Sequence, residues 1–214
     1  MIAGRNVASG PLGEGSSAPV PRGLVRALAA NLRIGSLSSE RRRSESELVR
    51  AAQDGSEEAL EALFRRHWPD AHRAAYLILR DPQAAEDVAQ EGFLAAIRAL
   101  ERFDRSRPFR PWLHRIVVNR AIDQTRARKL RREVAGEAMP AETAAEEAPE
   151  IGPEVLSALA GLSPEQRAVV VLRYLLEYTP GEIARMLEVP RGTINSRIRR
   201  GLDQLAAALG DEPR

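Results

Sequence analysis

The chain of 214 residues contains no cysteine, and aromatic residues make up only 4% of it. Without cysteine, disulfide bonds and thiolate-bound zinc are excluded, and such a composition is typical of the reducing cytoplasm. The longest strictly aliphatic stretch, Val169–Leu172, is far too short to cross a bilayer. We therefore expect a cytoplasmic protein that does not insert into a membrane. The 43% of hydrophobic residues predict small helical cores rich in Ala and Leu rather than a β-sandwich.

The net charge is only +2, but the charges are sorted into blocks along the chain. Residues 105–132 contain ten basic side chains and one acid, whereas residues 133–154 contain seven glutamates and no basic residue. Over residues 45–101 the acids outnumber the bases twelve to six. A solvated face would explain any one of these blocks by itself. Separated blocks of opposite sign instead indicate several distinct contact surfaces.

The composition also divides the chain into segments. Residues 1–43 are rich in Gly, Ser, Pro, Ala and Arg and are expected to be a disordered tail. Apolar residues at three- and four-residue steps predict helical domains over residues 44–132 and 154–209, with a short tail at 210–214. Residues 133–153, with three prolines and no aromatic residue, are typical of a flexible linker. The predicted fold class is all-α, with two small helical domains joined by a flexible acidic linker.

Start signals mark several of the predicted helices. Asp81-Pro82 offers an N-cap oxygen followed by a proline for the first helical turn, and Ser163–Gln166 and Thr179–Glu182 have the spacing of a capping box. The last helix of the first domain is expected to begin near Pro111 and to place Trp112 in the core. The helix after Pro82 is expected to bury Ala85, Val88, Ala89, Phe93, Ile97 and Leu100.

Residues 179–205, TPGEIARMLEVPRGTINSRIRRGLDQL, are typical of a helix-turn-helix with a break at Glu188–Pro190. If Ile194, Ile198, Leu202 and Leu205 face inward, polar and basic side chains of the second helix point away from the core. A recognition helix presents this side to the major groove of DNA. A basic helix that only packs and is solvated remains the alternative. The candidate contacts with duplex DNA are Arg191, Thr193, Asn195, Ser196, Arg197, Arg199 and Arg200.

Two longer stretches narrow the class of protein. The central region of sigma-70-family initiation factors resembles two stretches of this chain, DPQAAEDVAQEGFLAAIRALERF (Asp81–Phe103) and FRPWLHRIVVNRAIDQTRARK (Phe109–Lys129). The second promoter-reading region of that family resembles a third stretch, GTINSRIRRGLDQL. The chain has an acidic linker where larger sigma factors have a middle domain, and this two-domain layout is similar to that of the extracytoplasmic-function group. The resemblance covers roughly residues 45–209. It implies a factor without enzymatic activity that binds core RNA polymerase, directs it to promoters and helps to melt the minus-ten region.

The resemblance also implies roles for individual residues. In this family the AED-x-x-Q-E helix binds a coiled coil of the largest polymerase subunit, and Glu86, Asp87, Gln90 and Glu91 occupy its places here. The loop at Asp104–Pro108 and the helix after it would capture flipped bases of the minus-ten element, which need a pocket and a basic channel. The minus-ten candidates are Arg105, Ser106, Arg107, Arg115, Asn119, Arg120, Asp123 and Arg126.

Further partners implied by the resemblance are the polymerase flap, promoter DNA in double- and single-stranded form, and an anti-sigma factor. Because no motif for a metal or a cofactor is present in the sequence, we expect the chain to bind neither. Glu188 stands where the family often has glycine, so we expect a slightly strained left-handed backbone there. A helix-turn-helix regulator that binds an operator without joining polymerase is the main alternative. The other alternative is an enzyme, and the sequence argues against it. His67 and His72 are five residues apart, which does not place them on one helix face to bind a metal, and His114 is isolated. No phosphate-binding loop or metal-binding motif is present.

Overall fold

A computed structural model describes residues 44–135 and 151–210 of the chain, and every regular element within these ranges is a helix. The N-terminal unit (residues 44–135) contains α1 (Glu45–Gln53), α2 (Glu57–Leu79), α3 (Pro82–Ala99), a 3-10 turn (Leu100–Arg102) and α4 (Phe109–Ala135). The C-terminal unit (residues 151–210) contains α5 (Pro153–Ala160), α6 (Pro164–Tyr174), α7 (Pro180–Leu187) and α8 (Arg191–Ala208). The all-α prediction is confirmed. The predicted N-terminal tail and most of the predicted linker lie outside the described residues.

The helix starts follow the predicted signals. The Asp81 carboxylate accepts a hydrogen bond from the Ala84 N–H at 3.0 Å, with Pro82 in the first turn of α3. Ser163 and Thr179 both complete capping boxes, at the starts of α6 and α7. Each such cap stabilises its helix by about 1 kcal/mol, because it satisfies backbone donors that the helix leaves free. α4 begins at Phe109, slightly earlier than predicted.

The core of the N-terminal unit lies between α2, α3 and α4, which pack against one another. Leu77, Ile78 and Leu113 are fully buried there. A glycine permits the closest approach of two of these helices: a Cβ added at Gly92 of α3 would lie only 2.6 Å from Cγ2 of Val117 on α4. The buried side of α3 is therefore packed tightly against α4.

The prediction that Ile97 is buried is wrong, because its side chain is 44% exposed. Ile97 follows Gln90 by two helical turns and so lies on the same outward side of α3. Trp112 does lie against the core, as predicted, with its ring 4.6 Å from that of Phe103 and 5.5 Å from that of Phe109.

The two units also pack against each other, which the sequence did not predict. Helix α6 contacts α2 and α4, and α7 contacts α4. The buried hydrophobic residues of both units form one continuous cluster. None of the helices in the described ranges combines the length and the apolarity that a bilayer-spanning segment needs.

Candidate polymerase and promoter-DNA interface

The four side chains predicted to bind polymerase all lie on the exposed side of α3. Glu86, Asp87, Gln90 and Glu91 are each exposed, and the Gln90 side-chain amide donates to Glu86 Oε1 at 3.0 Å. On the opposite side of α3, Val88 is buried in the core. The structure thus brings the four together as an acidic and polar stripe that is open to a partner.

This stripe continues into exposed apolar side chains that sequence reasoning assigned to the core or overlooked. Leu94 is 51% exposed and Ile97 44%. Phe64 of α2 lines a small depression together with Ile97, and its ring lies 4.9 Å from that of Phe93. The signal was present in the spacing, since Leu94 and Ile97 follow Gln90 by four and seven residues. We call Glu86, Asp87, Gln90, Glu91, Leu94 and Ile97 together the α3 surface.

The loop between the 3-10 turn and α4 is anchored at both ends. Its flanking residues Phe103 and Phe109 are buried, with ring centroids 5.8 Å apart. The Gln53 side-chain amide donates to the carbonyl oxygens of Leu100 and Phe103, at 2.7 and 3.0 Å. The loop is therefore a short exposed segment whose two ends are fixed by the core.

The predicted DNA-binding residues of this loop are exposed and partly held by neighbours. Arg105 hydrogen-bonds to the Gln53 side chain, and Arg107 lies 3.6 Å from the Asp104 carboxylate. The Ser106 N–H donates to Asp104 Oδ1 at 2.9 Å, and the hydrogen bonds from Ser106 lower the pKa of Asp104. The side chains of both loop arginines remain exposed to solvent, so a phosphate group can reach them.

On α4 the predicted minus-ten residues separate into two groups. Asp123 is exposed and Asn119 and Arg120 are half-buried, and Arg120 and Asp123 line a shallow depression together with Asp87, Gln90 and Glu91 of α3. The Arg120 guanidinium lies 4.0 Å from the Glu91 carboxylate. The predicted polymerase and minus-ten residues therefore adjoin on one side of the N-terminal unit.

The other group on α4, Arg115 and Arg126, faces the C-terminal unit. Arg115 Nη2 lies 2.5 Å from Glu188 Oε1, and Arg126 lies 2.7 Å from Glu165 Oε1. Although desolvation raises the pKa of Glu165, backbone hydrogen bonds and Arg126 lower it overall, which keeps the carboxylate charged. The structure does not bring the eight minus-ten candidates together on one surface.

The centre of this interface is buried and polar. His114 Nδ1 and the Tyr178 hydroxyl are 2.8 Å apart, and the Arg110 guanidinium lies over the Tyr178 ring at 5.6 Å. Arg167 of α6 donates to the Ile78 carbonyl oxygen at the end of α2, at 2.7 Å. Burial lowers the pKa of His114 to about 3, and it raises the pKa of Tyr178. Both side chains are therefore neutral at physiological pH.

Helices α7 and α8 form the predicted helix-turn-helix. Glu188 ends α7 in the left-handed region at φ 55° and ψ 41°, as expected. Ile194, Leu202 and Leu205 are buried as predicted, and Ile198 packs against the core while partly exposed. Of the seven candidates on α8, Arg191, Asn195, Arg199 and Arg200 are exposed, and Thr193, Ser196 and Arg197 are half-buried.

Part of the polar side of α8 is engaged within the helix itself. The Ser196 hydroxyl donates to the Thr193 carbonyl oxygen at 2.9 Å, and Arg199 lies 4.0 Å from the Asp203 carboxylate. Exposed ion pairs of this kind are weak, so the guanidinium is free to move to a phosphate or a base edge. In the described part of the chain, no cluster of His, Asp and Glu could hold a metal ion.

Comparison with known proteins assigns both units. The profile of sigma-70 region 2 matches residues 63–132, and that of sigma-70 region 4 matches residues 153–205. The sigma factor SigM of Mycobacterium tuberculosis is 38% identical over 173 residues, which cover 78% of this chain and 86% of SigM. SigW of Bacillus subtilis is 31% identical over 178 residues, covering 76% of this chain and 95% of SigW.

A solved structure agrees with these matches. CnrH in complex with the cytosolic domain of CnrY superposes with a TM-score of 0.61 at 30% identity, covering 80% of this chain and 100% of the CnrH chain. A region 2 unit followed by a region 4 unit defines a protein of the sigma-70 family. Within that family, the chain belongs to the extracytoplasmic-function group of RNA polymerase sigma factors, as the resemblance predicted.

Proposed function

We infer that this protein is a transcription initiation factor that binds core RNA polymerase, directs it to specific promoters and helps to melt the minus-ten region. The observation that carries the inference is the order of a region 2 unit and a region 4 unit in one chain. An operator-binding regulator would need only the helix-turn-helix, so the N-terminal unit argues against that alternative. The function requires no catalytic step, and we assign the chain no enzymatic activity.

The α3 surface is the proposed contact with a coiled coil of the largest polymerase subunit. Its carboxylates suit a basic partner helix, while Leu94 and Ile97 would be removed from water on binding. Burying apolar surface contributes about 25 cal/mol per Å², and charge complementarity fixes the register of the partner. The polar and apolar parts of the surface thus have separate tasks, with the stripe giving specificity and the two aliphatic side chains giving affinity.

For the minus-ten element, the proposed contacts are the exposed loop at Asp104–Pro108 and the polar side of α4. Unstacking a base costs a few kcal/mol, which binding of the flipped base and polymerase contacts can offset without hydrolysis. In this proposal the exposed Arg105 and Arg107 contact the phosphates of the opened strand, and the half-buried Asn119 provides an amide for a base edge. The proposed minus-35 contacts are the polar and basic side chains of α8, in the major groove.

Two further assignments follow from this function. CnrH, which shares 30% identity with this chain, was solved in complex with the cytosolic domain of CnrY. We propose that this chain also binds a protein partner, and that this partner is an anti-sigma factor that holds the chain inactive. The region 4 unit would also contact the polymerase flap. Because the polymerase works in the cytoplasm, that compartment is the proposed location.

The test is the affinity of the purified full chain for core polymerase, with and without the substitutions Asp87→Ala and Gln90→Ala. Both side chains are exposed, so the variant keeps its fold. Loss of two polar contacts weakens binding roughly tenfold to a hundredfold. Glu58→Ala, which removes an exposed acid of α2, is the matched control and leaves the affinity unchanged. Equal affinity of the double variant and the wild type would refute the assignment of the α3 surface.

A further inference from the structure

Helix α1 precedes the part of the chain that matches region 2, yet it contacts the loop at Asp104–Pro108, which we call the minus-ten loop. The match to sigma-70 region 2 begins at residue 63, whereas α1 ends at Gln53. Helix α1 packs against α2 and also contacts the 3-10 turn and α4. Three of its side chains are buried in the core, namely Leu48, Val49 and Ala52. Its polar side chains hold both ends of the minus-ten loop, and the match assigns them no role.

Gln53 holds the start of the loop. Its side-chain NH2 group donates to the carbonyl oxygens of Leu100 and Phe103 at 2.7 and 3.0 Å, and its Oε1 accepts from Arg105 Nε. Both donors of the amide are therefore used. A rotated amide would place its oxygen against two carbonyl oxygens, so the surroundings fix the orientation of the group. Because the Phe103 carbonyl immediately precedes Asp104, these hydrogen bonds set the direction in which the chain enters the loop.

Glu45 holds the end of the loop, from the opposite end of α1. Its carboxylate accepts hydrogen bonds from the backbone N–H groups of Phe109 and Arg110, the first two residues of α4. His67 Nε2 lies 3.0 Å from Glu45 Oε1. The hydrogen bond with His67 and those with the two N–H groups lower the pKa of Glu45, although burial raises it. A capping box formed by Ser44 fixes the first turn of α1 and so holds the carboxylate in place.

A turn around Asp104 orders the loop between these two ends. The Ser106 N–H donates to Asp104 Oδ1 at 2.9 Å, and the Arg107 N–H donates to the Asp104 carbonyl oxygen at 3.0 Å. The side chains of Arg105, Ser106 and Arg107 nevertheless stay exposed. A loop that is ordered before binding loses less conformational entropy when it captures a strand. It also meets every base in the same geometry, which is what discrimination between bases requires.

We propose that α1 positions the minus-ten loop for promoter recognition, and that the two amide donors of Gln53 hold the loop in the geometry that discriminates between bases. The inference rests on the proposed function, because it takes Asp104–Pro108 as the loop that captures the flipped base. Gln53 contacts no base itself and acts through the backbone of the loop and through Arg105. The Nη2 of Arg105 lies 3.8 Å from Asp54, in an exposed pair that a phosphate can replace.

A glutamine that only stabilised the fold would have a different effect on DNA binding. Loss of stability lowers the fraction of folded protein, which weakens the binding of every DNA sequence by the same factor. A displaced loop instead weakens binding of the preferred base more than binding of the others. The ratio between the affinities for different bases therefore separates a positioning role from a structural one.

The test compares the full chain with its variants Gln53→Glu and Gln53→Met, each in complex with core polymerase. Gln53→Glu keeps the size of the side chain and the acceptor for Arg105, but a carboxylate has no donor for the carbonyls of Leu100 and Phe103. Gln53→Met keeps the length and loses both the donors and the acceptor. Val49→Ala is the matched control, because Val49 is a buried residue of α1 and its truncation leaves both polar side chains in place.

The probe is a pool of single-stranded DNA with randomised sequence, which is sequenced before and after it binds to each holoenzyme. The wild type enriches one base over the others at the captured position. In Gln53→Glu and Gln53→Met this enrichment falls roughly threefold to tenfold, which is the effect of one or two neutral hydrogen bonds. Val49→Ala lowers the total binding but changes the enrichment by less than about twofold.

Amide hydrogen exchange in the free full chain is a second measurement, and it needs no polymerase. The N–H groups of Ser106 and Arg107 exchange roughly threefold to tenfold faster in Gln53→Glu than in the wild type, because the turn around Asp104 opens more often. In Val49→Ala their exchange rates change by less than about twofold.

Equal base enrichment in Gln53→Glu and the wild type would overturn the positioning role, and so would an equal loss of enrichment in Val49→Ala. If the wild-type holoenzyme enriches no base at all, the proposed minus-ten function fails instead. The exchange rates then decide separately whether Gln53 orders the loop, and unchanged rates in Gln53→Glu would overturn that claim too.

Discussion

Acidification is expected to destabilise the folded chain through His114 before any carboxylate titrates. Burial, with the nearby charges of Arg110 and His67, lowers the pKa of His114 from its ordinary 6.5 to about 3, and Tyr178 occupies its Nδ1. In the unfolded chain His114 therefore binds a proton as the pH falls through about 6.5, whereas in the folded chain it stays neutral until the pH is near 3. The contribution of the neutral His114 to the free energy of unfolding is fully present above pH 6.5, and it is lost as the pH falls towards 3.

The size of the effect at pH 5 follows from the unfolded state. That pH lies 1.5 units below 6.5 and above the folded pKa, so about 2 kcal/mol of unfolding free energy is lost, at 1.36 kcal/mol per unit. Carboxylates such as Glu45 and Glu165, whose pKa values are lowered in the fold, contribute only at more acidic pH. The loss of unfolding free energy between pH 7.5 and 5 therefore comes from histidine and not from the carboxylates.

The assay is urea unfolding of the wild type and of His114→Leu at pH 7.5 and 5.0. The wild type loses about 2 kcal/mol more than the variant does between the two values. Because both proteins keep every other titrating group, the difference isolates His114. An equal loss in the two proteins, or a gain in stability of the wild type at pH 5, would refute a buried neutral imidazole at the interface.

Two other predictions concern packing and DNA. Gly92→Ala places a methyl group against Val117 and lowers the unfolding free energy by about 1–3 kcal/mol in urea titrations, whereas an unchanged midpoint would show that α3 and α4 are not in close contact. Arg199→Ala with Arg200→Ala weakens binding of the holoenzyme to promoter DNA and reduces the slope of log affinity against log salt by about 2. A slope equal to that of the wild type would mean that α8 does not face phosphates.

Local signals predicted local structure well. Asp81 and Thr179 start helices where their side-chain oxygens predicted a cap, because a cap depends only on the next few residues. The acidic stripe on α3 was predicted for the same reason. Ile97 was assigned to the wrong side, because its apolar side chain suggests the core while its position two helical turns after Gln90 places it on the outward side of α3.

The contact between the two units could not be predicted from patterns along the chain. Arg167 reaches the Ile78 carbonyl across 89 positions, and Arg115 reaches Glu188 across 73. Neither residue differs locally from an ordinary solvated charge. Only the left-handed Glu188 was unusual in the sequence, and its partner became visible only when α4 and α7 were placed side by side. Long-range pairing of this kind depends on tertiary packing, which helical periodicity does not specify.

The most direct measurement of the central claim is transcription from genomic DNA by core RNA polymerase with the purified full chain, with start sites mapped at single-nucleotide precision. We predict transcripts from a defined set of positions that share one spacing between two upstream elements, and their loss when Asp87 and Gln90 are changed to Ala. Transcripts with the same start sites in the presence and absence of the chain would contradict the assignment.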